Sequence, residues 1–126
     1  MEYMRGYIDR YQGSSKSGEF NWLMQRVSGI ALLVLLLGHF FIQHFISAPV
    51  GGAGYAAVAA RLSDLGWKLF DMTFVTFALY HGINGIFMVI EDYVYSGWRV
   101  FWKGFFWVVG VLYWVLAALT IIPFKG

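Results

Sequence analysis

The chain has 126 residues, of which 60% are hydrophobic, 21% aromatic and only 13% charged. That balance excludes a soluble domain of this size and fits one compact membrane domain. A net charge of +2 gives no electrostatic footprint for nucleic acid. The absence of cysteine removes disulfides and thiolate-bound metals together.

Residues 1–21 are polar, with Glu2, Asp9 and Glu19 beside Arg5, Arg10 and Lys16, and with the run GSSKSG. They lack the short apolar core of a signal peptide and read as a cytoplasmic or interfacial segment on the membrane surface or on a partner. Residues 22–46 contain IALLVLLLGHFFIQHFI, the first stretch long enough for a helix to cross a hydrocarbon layer about 30 Å thick. A connection follows at 47–66, with Pro49, Gly51 and Gly52, then small residues over 56–62 that suit a short interfacial helix. Residues 67–90 contain MTFVTFALYHGINGIFMVI, a second span. A turn over 92–98 leads to the third span, 101–122, which Pro123 closes.

The expected fold is therefore an all-α membrane protein, a three-helix domain over 22–126. Arg5, Arg10, Lys16 and Arg26 flank the start of the first span, and Arg99 and Lys103 flank the second turn, against only Arg61, Lys68 and Lys125 on the other side. The positive-inside bias puts the N-terminus in the cytoplasm. Trp22, Trp67, Trp98 and Trp102 fall near the proposed boundaries, as an aromatic belt requires, with Trp22 close enough to a cytoplasmic cluster to touch a ligand there. Gly29, Gly38, Gly82 and Gly85 allow close approach of a helix backbone or a flat cofactor.

Histidine is the only strong nitrogen ligand available, at positions 39, 44 and 81. By helical rise, His39 lies about 20 Å and His44 about 27 Å beyond Arg26, and His81 about 16 Å from Asp92. On that count His81 and His39 are inside the hydrocarbon, and His39 is about 4 Å farther from the cytoplasmic boundary than His81. An intramembrane imidazole is costly without a partner. The partner is either a group on a neighbouring helix or a metal, and haem suits a helical bundle because its iron needs only axial imidazoles. Zinc would need three or four ligands clustered at one depth.

Arg26, Ser28, Asp92 and Tyr93 form a second group at the expected cytoplasmic boundary. A phenol, a carboxylate and a guanidinium there suit the carbonyl oxygens of a quinone. A boundary arginine on phosphate beside an interfacial tyrosine explains them about equally well.

The string QRVSGIALLVLLLGHF followed by LYHGINGIFMVIEDYV resembles the small membrane-anchor subunits of succinate:quinone oxidoreductase, respiratory complex II. Arg26-Val27-Ser28-Gly29 matches the Arg-x-Ser-Gly opening of the first span. His81, Gly85 and Asp92-Tyr93 match the pattern of the second span. The resemblance implies half of a haem-binding helical bundle, in a bacterial inner membrane as a multi-pass protein. His81 would be an axial ligand of haem b shared with a cytochrome b anchor subunit, with Arg26 and Ser28 beside the cofactor. Tyr93, Asp92, Arg26 and Trp22 would line the quinone site. His39 would ligate a second, outer haem or pack against the edge of a single one.

Implied partners are a flavoprotein subunit carrying FAD and an iron-sulfur subunit, in a heterotetramer that can form a trimer. The chain has no flavin motif and no cluster-binding cysteine, so it would not oxidise succinate alone. Gln25 stands where the larger anchor often has histidine, and Phe87 where an arginine often follows. Both departures favour the smaller, D-type anchor. A fumarate reductase anchor is the close alternative, and a haem-free packing subunit with interhelical histidines is the rival.

Overall fold

A computed structural model describes residues 17–46, 54–95 and 97–125. Within them all regular structure is helical. Helix α1 runs Ser17–Phe41 and continues into a wider π-helical turn, Ile42–Ile46. Helix α2 is short, Tyr55–Leu62, and answers the small-residue stretch of the connection. Helices α3, Leu65–Tyr93, and α4, Trp98–Ile121, complete the chain. With the continuous α1 segment counted from Gly18, three helices of 29, 29 and 24 residues are long and apolar enough to cross a membrane. Their lengths of about 36–44 Å exceed the hydrocarbon layer and reach into the headgroups. The basic residues Arg5, Arg10 and Lys16, Pro49, Gly51, Gly52 and most of the GSSKSG run lie outside the described residues.

The helices start earlier than the apolar runs do, and α3 ends later, because polar end groups are satisfied locally. Asp64 caps α3, accepting from the backbone N–H of Gly66 at 2.9 Å and of Trp67 at 3.2 Å. At the other end, Arg99 donates to the carbonyls of Val94 and Glu91, both at 3.0 Å, so α3 carries Asp92 and Tyr93 in its last turn rather than in a loop. Lys68 does the same for α4, donating to Ile122 O at 2.9 Å and Phe124 O at 2.7 Å. Inside the spans, Thr73, Thr76 and Thr120 return their hydroxyls to carbonyls one turn earlier.

Helix α3 is the centre of the domain, with α1 packed along it on one flank, α4 on the other and α2 against it. Gly110 permits the α3–α4 approach: a Cβ there would fall 2.0 Å from Ile83 Cδ1. Among the described residues only Ala57 and Ile90 are buried hydrophobics, each 6% exposed, so most of the apolar surface of this three-helix row is open. Ser28, at 2% exposure, and Asn84, at 7%, are the buried polar residues, and both lie between α1 and α3. Below, the near side is the one where α1 begins and α3 ends; the far side is opposite.

Candidate functional site

The polar groups of the α1–α3 seam fall in two layers. In the near-side layer His81 lies flat against α1, since a Cβ on Gly29 would meet His81 Cε1 at 3.2 Å. Ser28 Oγ is 3.0 Å from His81 Nδ1, and Gln25 Nε2 is 3.4 Å from His81 Nε2. Ser28 also donates to Gln25 O at 3.1 Å. One turn away, Asn84 donates to Gln25 Oε1 at 2.8 Å and to Asn21 O at 3.1 Å. Gly85 leaves room for this amide, because a Cβ there would sit 3.2 Å from Gln25 Nε2. Gly29 and Gly85 thus admit polar side chains from the facing helix, whereas Gly38 and Gly82 meet nothing within 4 Å. Every buried polar side-chain atom among the described residues is hydrogen-bonded.

The far-side layer surrounds His39. Its ring stacks on Phe74 and Phe70, with centroids 5.5 and 6.3 Å away, and its Nε2 lies 3.3 Å from Gln43 Nε2 and 3.9 Å from Asp71 Oδ1. Arg61 of α2 donates to Gln43 Oε1 at 2.8 Å and ties the short helix to this layer. His39 therefore faces α3, not lipid. His44 is exposed, with its Nδ1 3.0 Å from Phe40 O and its ring stacked on Phe40.

These contacts fix the α1–α3 register and correct two expectations of depth. Gln25 faces Asn84 and Ser28 faces His81, so Arg26 sits level with the Ile83–Asn84 turn. Asp92 is about nine residues, or about 13 Å, nearer the near side than Arg26. The two do not share a boundary. The apolar run of α1 begins well inside the helix, which starts at Ser17, and a run of apolar residues marks hydrocarbon but not register. For the same reason His39 is not about 4 Å from the level of His81. It packs beside Asp71, ten residues from His81, about 15 Å along α3.

The expected cytoplasmic cluster accordingly separates. Ser28 groups with His81. The Arg26 guanidinium turns back over the Trp22 ring, 3.7 Å from its centroid, as a long cationic side chain does when it reaches for the headgroup region. Asp92 and Tyr93 are exposed at the end of α3, Tyr93 by 77%. Trp22 lines a near-side cleft of about 250 Å³ with Asn21, Asn84, Glu91 and Lys103, the last two forming an ion pair. Reading the sequence missed Asn84, Gln43 and Asp71, and took Gln25 only as a substitution for histidine. Their signal was available: Asn84 is three residues from His81 and Gln25 three from Ser28, a spacing that keeps them on one helix face.

No group of three or more metal-binding side chains occurs among the described residues. A haem shared between two chains asks less of this one: a single imidazole and an apolar edge. His81 provides a ring nitrogen whose one partner, Gln25, is at a long 3.4 Å. An apolar cleft of about 240 Å³ opens along the same seam, lined by Met24, Val27, Ser28, Thr76, Phe77 and Tyr80. The near-side layer fits that requirement.

Residues 7–120 match the family described as "Succinate dehydrogenase/Fumarate reductase transmembrane subunit". The chain is also similar to the succinate dehydrogenase hydrophobic membrane anchor subunits of Thermoplasma acidophilum, 35% identical over 78 residues, and Rickettsia typhi, 34% identical over 88. These alignments cover 61% and 64% of this chain and 62% of each relative. A third anchor subunit, from Archaeoglobus fulgidus, is 25% identical over 71 residues, covering 56% of this chain and 59% of the relative. With most of its length inside the match, and three membrane-length helices to carry it, the chain belongs to the succinate dehydrogenase/fumarate reductase transmembrane subunit family.

Proposed function

We propose that this chain is the smaller anchor of a succinate:quinone oxidoreductase. It would hold a flavoprotein and an iron-sulfur subunit at the cytoplasmic face of the membrane and share haem b with a cytochrome b anchor subunit. The observation that carries the reading is His81, seated midway along a membrane-length helix against Gly29 with Ser28 on one ring nitrogen. The family match sets its context.

In this reading His81 would hold the haem iron through Nε2, in place of its long contact with the Gln25 amide. Bound there, the haem supplies a one-electron store within the membrane. Ser28 holds the ring through Nδ1, as the second nitrogen of a ligating histidine is normally held. The helix row leaves its faces open to the partner anchor, which completes the bundle. At the near side, Tyr93 and Asp92 project from the end of α3. There the phenol donates a hydrogen bond to a quinone oxygen, the carboxylate passes protons to it, and Trp22 and Arg26 form a neighbouring wall. The near side is then the cytoplasmic one.

His39 belongs to the far layer. Its separation from His81 by ten residues of α3 favours a second, outer haem over contact with the edge of the first.

The test is to purify the assembly through a tag on this chain. The expected result is co-purification of a flavoprotein and an iron-sulfur protein, with a reduced-minus-oxidised spectrum of low-spin b haem. An intact assembly with neither the flavoprotein nor the haem would make the chain a packing subunit of some other complex.

A further inference from the structure

The hydrogen bonds around His81 determine where its ring proton sits. Asn21 O is a backbone carbonyl and can only accept, so the Asn84 atom facing it is the amide nitrogen. That same nitrogen faces Gln25, so the Gln25 atom receiving its second N–H is the carbonyl oxygen. Gln25 must then turn its own NH₂ toward His81 Nε2, which can accept only if it carries no proton. The other side of the ring agrees. Ser28 Oγ reaches Gln25 O, which can only accept, and a hydroxyl that donates there turns a lone pair to His81 Nδ1. With Nε2 bare, Nδ1 bears the ring hydrogen and meets that lone pair.

We propose that Asn84 and Ser28 are positioning residues which, through the Gln25 amide, hold His81 as the Nδ1–H tautomer with a bare Nε2. The significance of this for haem rests on the proposed role of His81 as an axial ligand. The nitrogen left bare is the one a metal needs, and the amide facing it keeps it satisfied until a stronger partner arrives. Burial enforces the arrangement, since Ser28 and Asn84 are 2% and 7% exposed. His39 lacks the double lock. Arg61 orients the Gln43 amide toward its Nε2, but the Asp71 carboxylate lies 3.9 Å from the same nitrogen and no hydroxyl among the described residues marks Nδ1.

The experiment is ¹⁵N NMR of the full chain, labelled at histidine, in lipid nanodiscs without haem. In the wild type, His81 Nδ1 should carry the proton, with the bare-Nε2 form exceeding the other tautomer by about tenfold, as two cooperating hydrogen bonds allow. Gln25→Glu is nearly isosteric but replaces the NH₂ facing Nε2 with an oxygen, so the proton should move onto Nε2. Asn84→Asp should do the same by another route, because the new carboxylate draws the Gln25 NH₂ to itself and turns Oε1 toward the ring. Unchanged His39 and His44 signals identify the folded variants, and either variant alone suffices if the other misfolds. A wild-type proton on Nε2, or a bare Nε2 retained in a folded variant, overturns the proposal. The visible spectrum of the assembled complex separates the two ideas. A haem-free complex with bare Nε2 rejects the haem reading and keeps the proton order. A haem-loaded complex whose haem-free chain has Nε2–H rejects the proton order alone.

Discussion

Ser28 Oγ lies 3.0 Å from His81 Nδ1, joining the most deeply buried side chain of the described residues to the one imidazole in the near-side seam. Ser28→Ala removes that acceptor and also the donor to Gln25 O. In membranes such interhelical bonds average about 0.6 kcal/mol, with a maximum near 1.7, so the seam should weaken by about 0.6–1.7 kcal/mol and not come apart. A double-mutant cycle with His81→Ala, read by reversible unfolding in mixed micelles, measures the coupling. A coupling near zero would mean that Ser28 and His81 are neighbours without interaction.

His81→Leu should abolish the low-spin bis-histidine haem signal of the assembled complex while leaving part of the complex assembled. Reduced-minus-oxidised spectra on equal amounts of complex are the readout. An unaltered low-spin spectrum would remove His81 from the ligand set.

Tyr93→Phe deletes one hydroxyl from an exposed ring, so packing barely changes. A hydrogen bond to a charged or developing anionic oxygen is worth about 1.5–3 kcal/mol, which predicts a loss of about ten- to hundredfold in quinone reduction. Succinate oxidation with a soluble dye as acceptor should remain. Asp92→Asn should follow the same pattern. Equal loss of both activities would indicate failed assembly, and loss of neither would move the quinone to the partner subunits.

The far layer makes a separate prediction. If His39 ligates an outer haem, the complex contains two haems and His39→Ala retains one. Haem extraction and quantitation against protein decide this, and a wild-type count of one ends the second-haem reading.

Gly110→Leu should drive α3 and α4 apart, because even a Cβ would collide with Ile83, whose Cδ1 can turn aside for a methyl but whose Cγ1 stands at 3.3 Å. Gly110→Ala should cost about 1–3 kcal/mol, the usual range for overpacking, and Ile83→Ala in the same chain should recover much of it. Thermal stability of the two single variants and the double variant is the measurement. Additive losses would show that the two residues do not compete for one space.

Three spans were legible in the sequence because hydropathy reports directly on the length a helix can bury in lipid. His81 was legible for a related reason, since an imidazole in such a stretch demands a partner. Register was not. Nothing along one helix says which residue of the next it faces, so Arg26 was placed level with Asp92 when it stands beside the Ile83–Asn84 turn. The partners of His81 followed from that unknown. Along the sequence Gln25 is only a departure from histidine and Asn84 draws no notice, until the seam brings them within 2.8 Å. Gly110 was likewise overlooked, because its value lies in Ile83, 27 positions earlier in the chain.

Lys68 and Arg99 close the α3–α4 pair at both of its ends. Each is a basic residue from the first turns of one helix, donating to the terminal carbonyls of the other, one at each membrane surface. The C-terminal ends of this hairpin are thus closed from within, with each positive charge set against the negative pole of the neighbouring dipole. Such a pair can enter the bilayer as one insertion unit, its exposed carbonyls already answered. The α1–α3 seam, with His81 in it, can then loosen while the α3–α4 hairpin stays closed at both ends.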